Sequence, residues 1–139
     1  MSVWEMDFPK LEDEGYSPTS PVTPDYNCIA WAACDDQRWW WPDAFMQYYW
    51  PPTAPRKESI DAFIYAFSTL GYEVCDNSSY EPGKDKIALY ALGEKPTHAA
   101  RQIPSGLWTS KLGGNIDIEH TLEGLAGPTY GSATLFMSR

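Results

Sequence analysis

Three residues stand out for the chemistry that their types and positions allow: Cys28, His98 and Ser110. Cys28 lies in Tyr26-Asn27-Cys28-Ile29-Ala30-Trp31-Ala32-Ala33, behind a polar, proline-rich entry and in the first turn of an expected short apolar helix. A helix start presents unpaired N–H groups and the positive end of the macrodipole. Both favour thiolate over thiol and can hold an oxyanion forming beside the sulfur. A nucleophile in that position needs a base. His98 opens the small-residue run His-Ala-Ala, where little crowds an imidazole. His120 follows Asp117-Ile118-Glu119, which reads as a solvated helix start, and is the second choice as base.

Ser110 enters through a hairpin. Pro104-Ser105-Gly106 fits a three-residue loop, with proline preset for the first turn position and glycine in the left-handed one, between strands expected over Thr97 to Ile103 and Leu107 to Leu112. Pairing Ile103 with Leu107 sets His98 opposite Leu112 and Ala100 opposite Ser110. His98 and Ser110 then share a face of the sheet. A hydroxyl there can hold one imidazole nitrogen while the other faces a thiol, the orienting role in a nucleophile-base-orienter set. Asp117 or Glu119 takes that role instead if its loop folds back. Gln102 and Trp108 project from the same face and are expected to hydrogen-bond or wall a substrate, whereas Lys111 points the other way and is left out of the chemistry.

These residues need elements to position them. Asp25 or Asn27 can cap the first helix, which is expected to run two to three turns before Asp35-Asp36. Arg38-Trp39-Trp40-Trp41-Pro42 and Tyr48-Tyr49-Trp50-Pro51-Pro52 bracket a possible turn at Asp43 to Gln47. Aromatic-proline clusters of this kind form irregular walls, here either the roof of a small core or a substrate groove with Trp39, Trp40 and Trp41 in contact. From Lys57, the residues Ile60, Phe63, Ile64, Phe67 and Leu70 recur at helical spacing, and Gly71 stops the run. Strands are expected at Tyr72 to Cys75, Lys86 to Leu92 and Tyr130 to Met137, with a loop at Gly113-Gly114-Asn115 and a short helix over Asp117 to Ala126. The order implies an α+β fold with N-terminal helices packed on a C-terminal antiparallel sheet.

The totals bound the function. A chain of 139 residues is one domain, preceded by a proline-rich arm over residues 1–24 that is expected to be extended, with Pro9, Pro18, Pro21 and Pro24 against helix and Phe8, Leu11 and Tyr16 as anchors. A formal charge of −9 argues against nucleic acid and against anionic membrane surfaces as partners. The start Met1-Ser2-Val3-Trp4-Glu5-Met6-Asp7 lacks a secretory signal, so a cytoplasmic protein, or one exported by a dedicated apparatus as effectors and toxins are, is expected. Cys28, Cys34 and Cys75 with two histidines make no zinc pattern, and neither metal nor cofactor is expected. Cys34 and Cys75 read as small buried hydrophobes, all three thiols being reduced.

A cysteine opening an early helix, a second helix, then a strand led by histidine and a polar residue on the next strand resemble the papain-like cysteine hydrolases, most closely the NlpC-type peptidase and amidase branch. That branch carries a tyrosine about a dozen residues before the nucleophile and usually Asp-Cys at the helix start; here Tyr16 and Asn27-Cys28 take those positions. The usual Asp-Cys-Ser-Gly is Asn-Cys-Ile-Ala in this chain, and serine stands where the family mostly has His, Asn or Asp. The resemblance implies contact between Cys28 and His98, an oxyanion site shared with Tyr16 and Asn27, and a peptide or amide substrate cleaved by hydrolysis or transferred to an amine. The stretches YNCIAWA, WWWP, THAARQ and WTSKLG also resemble small bacterial proteins of one domain family, a likeness that implies no particular activity. The rival expectation is a non-catalytic module whose Trp/Tyr-rich surface recognises a peptide, a glycan or a partner protein.

Overall fold

The computed structural model describes residues 3–112 and 114–139; Gly113 of the expected Gly113-Gly114-Asn115 loop lies outside them, as do Met1 and Ser2. Short helical turns α1 (Val3–Asp7) and α2 (Leu11–Glu14) lead into strand β1 (Tyr16–Ser20). Helix α3 (Cys28–Ala32), the aromatic segment and helix α4 (Ile60–Ser68) follow. The remainder is sheet: β2 (Glu73–Cys75), β3 (Lys86–Leu92), β4 (Lys95–Gln102), β5 (Trp108–Lys111), β6 (Asp117–His120) and β7 (Ser132–Ser138), with a 3-10 turn at Glu123–Leu125. All strand pairs are antiparallel, in the order β1-β6-β5-β4-β3-β7-β2. The fold is α+β, with seven strands and a few short helices.

Local sequence explains the elements that flank the site. In α4, Ser59 accepts the amide of Ala62 at 3.2 Å, and Ala62, Phe63, Ala66 and Phe67 form the buried face. Helix α3 is shorter than expected. Cys34 takes a left-handed φ of 64°, and the amides of Cys34 and Asp35 bond back to Trp31 and Ala30, closing the helix after five residues. The hairpin forms in the register read from its loop: Arg101 faces Thr109, Gln102 faces Trp108, and Gly106 has φ of 89°.

Two expectations are corrected. Residues 117–120 form a strand rather than the start of a helix, because Asp117 is buried by accepting the Tyr26 hydroxyl at 2.6 Å instead of facing solvent. Nor is the N-terminal arm merely extended. Phe8 and Leu11 anchor it as expected, in one cluster with Leu125 and Trp108, but it also forms two helical turns and a strand, β1, that pairs with β6 as an outer strand and accommodates Pro18 beside a register shift.

The sheet is buried on both faces. Ile87, Leu89 and Ala99 join α3, α4 and the aromatic segment in one cluster, while Ala88, Tyr90, Ala100, Trp108 and Ile118 meet the arm in the other. That accounts for the continuous apolar run of β3. Most of the aromatic segment is core: Trp50 and Trp41 pack on Phe63 with ring centroids 5.0 and 5.5 Å away, and Trp40 and Trp50 are each 3% exposed.

Tyr130 reaches the site from the turn before β7, and the neighbouring backbone is tight. Gly131 has φ of 77°, and a Cβ there would stand 1.9 Å from the Ala91 carbonyl oxygen. Gly131→Ala is expected to cost about 3 kcal/mol or more, read as a lowered urea midpoint with unchanged slope. Stability within about 0.5 kcal/mol of the parent would show that this turn is not tightly held.

Candidate active site

Asn27 sets the position of Cys28. Its Oδ1 accepts the amides of Ala30 (3.2 Å) and Trp40 (3.0 Å), and its Nδ2 donates to the Trp40 carbonyl at 2.8 Å. One buried side chain therefore caps α3 and fastens the aromatic segment to it. The α3 barrel docks on β4 and β5. Trp31 Nε1 donates to Thr109 Oγ1 at 3.1 Å, and Arg101 covers the Trp31 ring at 4.0 Å.

The Cys28 sulfur meets three backbone amides, those of Ala99, Ile29 and Cys28 itself. Burial nevertheless pushes the thiol up to about 11, outweighing these N–H groups and the charge of Lys111, all of which pull it down. The expected preference for thiolate is corrected accordingly. In the resting protein Cys28 is a neutral thiol, because a site so enclosed disfavours charge.

His98 and Ser110 are joined as the hairpin register predicts, with Nε2 and Oγ 2.8 Å apart. The chain of bonds continues. Ser110 Oγ lies 2.7 Å from His120 Nε2, and His120 Nδ1 lies 2.6 Å from the Thr121 carbonyl oxygen. A carbonyl only accepts, so His120 Nδ1 carries the proton and its Nε2 is a lone pair. Ser110 must then donate to His120 and accept from His98 Nε2–H, which leaves His98 Nδ1 as a lone pair. That atom is buried and has no hydrogen-bond partner among the described residues. Desolvation holds His120 at about 4; desolvation, followed by the neighbouring His120, holds His98 well below its usual value.

Strand alternation turns Ala99 towards α3 and His98 to the opposite side of β4. There the imidazole stacks on Tyr130, with ring centroids 4.1 Å apart, and meets the edge of Tyr90 at 5.3 Å. Tyr130 also lines a cleft of roughly 330 Å³ that contains Cys28 and Thr97, with Trp39, Trp41 and Tyr48 as its further aromatic lining and Asn27 beside them. Cys28 and His98 thus come to the same stretch of β4, linked by the Ala99 amide and by Tyr130, without a hydrogen bond between the two side chains.

The remaining expected residues divide between the cleft and the frame. Trp39 and Trp41 line the cleft, whereas Trp40 turns inward, its indole donating to Asp35 at 2.8 Å. Gln102 bonds the carbonyls of Ser78 and Gly106, and Trp108 is buried in the second core cluster, so neither reaches the cleft. Tyr16 pairs with His120 across β1 and β6 and lines a separate cavity there, away from Cys28. Asp117 and Glu119 point away from Ser110, since Ser110 pairs with Ile118 and alternation carries its neighbours to the other face. Lys111, also on that other face, donates to the Thr23 carbonyl at 2.6 Å. Cys34 is exposed rather than buried, its sulfur 3.3 Å from Arg101 Nη1, Cys75 is partly exposed, and all three cysteines are free. His120 is the residue the sequence undervalues. Its signal is the two-residue period of Ile116, Ile118 and His120, all buried.

Residues 17–138 match the family model described as a domain of unknown function (DUF7689), and the chain belongs to that family. Comparison with curated proteins and with solved structures returns no match.

The paired imidazoles make stability acid-sensitive. Between pH 6.5 and about 4 the unfolded chain protonates His120 while the folded chain does not, so stability rises with pH across that window and is lost as pH falls. The loss from His120 is about 3 kcal/mol, with His98 adding in the same direction. Urea melts from pH 7 to 4.5 should show this slope, and His120→Gln should flatten it; an unchanged slope in that variant would place the acid sensitivity elsewhere.

Proposed function

We propose that this domain is a thiol hydrolase of papain-like, NlpC-type character that cleaves an amide or peptide bond. The observation that carries the reading is the directed proton chain from His98 through Ser110 and His120 to the Thr121 carbonyl. It leaves the open nitrogen of a neutral imidazole one residue from the amide facing the Cys28 sulfur.

In the proposed reaction, Cys28 Sγ bonds to the substrate carbonyl carbon as its proton passes to His98 Nδ1. The carbonyl π electrons move to oxygen, where the Cys28 and Ile29 amides hold the oxyanion. The imidazolium then protonates the nitrogen of the leaving amine as the C–N bond breaks, giving a thioester. Water attacks the thioester, its proton going to His98, and the sulfur leaves and recovers that proton as the acid is released. An amine in place of water gives acyl transfer by the same steps. Ser110 and His120 act as positioning residues that keep the His98 lone pair on Nδ1. Because the two side chains lie on opposite sides of β4 in the resting protein, the reaction requires a rearrangement in the substrate-filled site that brings His98 Nδ1 past its Tyr130 neighbour to hydrogen-bond distance of Cys28, and the resting pair is thiol and imidazole rather than an ion pair.

A second reading has its own support. Phe45 and Met46 are 86% and 72% exposed on the segment that lines the cleft, as a protein-binding module without catalysis would present. Turnover separates the two. On an amide library with fluorogenic leaving groups, Cys28→Ala and His98→Ala are expected to abolish hydrolysis. Ser110→Ala is expected to lower kcat by about 10- to 100-fold with little change in KM, and His120→Gln to shift the pH profile of kcat/KM. Turnover that survives in Cys28→Ala, or a wild-type thiol with neither turnover nor alkylation above that of a free thiol, would sink the hydrolase reading.

A further inference from the structure

Resting on the hydrolase reading, the lining of the cleft points to its substrate class. We infer that the group flanking the scissile bond is an uncharged aromatic or bulky apolar residue, and that substrates bearing a carboxylate at that position are rejected. Four rings, those of Trp39, Trp41, Tyr48 and Tyr130, surround the space beside Cys28, and no charged side chain among the described residues lines it. Apart from the polar atoms of the rings themselves, the amide of Asn27 and the hydroxyl of Thr97 are already engaged. Asn27 is bonded to Ala30 and Trp40, and Thr97 Oγ1 donates to the Tyr130 carbonyl at 2.6 Å.

Cations near the segment are committed to other partners. Arg38 lies over the Tyr49 ring and pairs with Asp35, while Arg56 holds the Asp43 carboxylate and the Tyr48 carbonyl. A carboxylate entering the cleft would lose water and meet no cation in the lining, while Lys111, whose charge reaches Cys28, is held by the Thr23 carbonyl and offset by Asp117, in a chain of net charge −9. A flat neutral group loses little hydration and gains ring contacts instead. The volume of roughly 330 Å³ suits one large side chain and the amide beside it rather than an extended ligand.

The test uses three haloacetyl reagents that share one alkylation reaction: iodoacetate, iodoacetamide and N-phenyl iodoacetamide. Rates are read by mass spectrometry at Cys28, with Cys34 and Cys75 of the same molecule as internal references. The expected result is that Cys28, normalised to Cys75, reacts about tenfold faster with the phenyl reagent than with iodoacetate. Tyr48→Ala should remove much of that preference. Tyr48 is 41% exposed and holds its loop through backbone bonds, so its truncation leaves the fold intact. Fluorogenic amides of N-acetyl phenylalanine and N-acetyl aspartate extend the test to turnover, with phenylalanine preferred. Equal labelling rates, or a preference for iodoacetate at Cys28, would overturn the substrate class while leaving the hydrolase reading to stand on turnover. Aromatic preference in labelling without turnover of either amide would instead remove the hydrolase and keep the cleft as a site for neutral aromatic groups. A Cys28 inert to all three reagents, while Cys34 and Cys75 react, would overturn the substrate class, and the hydrolase reading with it if neither amide is turned over.

Discussion

The arrangement around Cys28 depends on one side-chain amide. Asn27 satisfies two backbone donors and one acceptor in a place where water is excluded, so the start of α3 and the backbone of Trp40 cannot move independently. An unsatisfied amide in that position would cost more than the net value of any one of its bonds, which is why a single residue can hold two segments together. The thiol is thereby fixed against the Ala99 amide on one side and beside the Trp39 and Trp41 rings on the other.

Burial also sets the electrical state of the site. Cys28, His98, Ser110 and His120 all lie below a tenth exposed, and desolvation is the leading cause of every shift among the titrating members. A thiolate-imidazolium pair formed in such a place would demand solvation that the protein does not supply. Hydrogen-bond direction takes the place of charge as the organising feature. A backbone carbonyl at Thr121 fixes the protonated nitrogen of one imidazole, and through one hydroxyl that of a second.

How much of this could be read from residues alone depended on whether the signal was local. The register linking His98 to Ser110 followed from Pro104-Ser105-Gly106, because a three-residue loop with glycine at its left-handed position leaves one pairing that matches. Helix α4 was equally legible through its apolar spacing. His120 was not. Asp117 and Glu119 suggested solvent, and only a bond from Tyr26, 91 residues away, makes Asp117 a buried strand residue. The arm is legible in its apolar anchors Phe8 and Leu11 but not in its strand, because the prolines are a local signal while β1 exists only through pairing with β6 near the far end of the chain. The length of α3 turned on the backbone of Cys34, whose left-handed φ no residue type announces.

The two outermost strands have a consequence beyond the site. On one side lies β1, with a proline that has no amide to donate and a register shift that bends the strand; on the other lies β2, three residues long and two of them exposed. Neither presents the long, flat row of free donors and acceptors that templates another chain. A sheet finished in this way offers a second copy little to pair with along either edge, so its growth ends with the seventh strand.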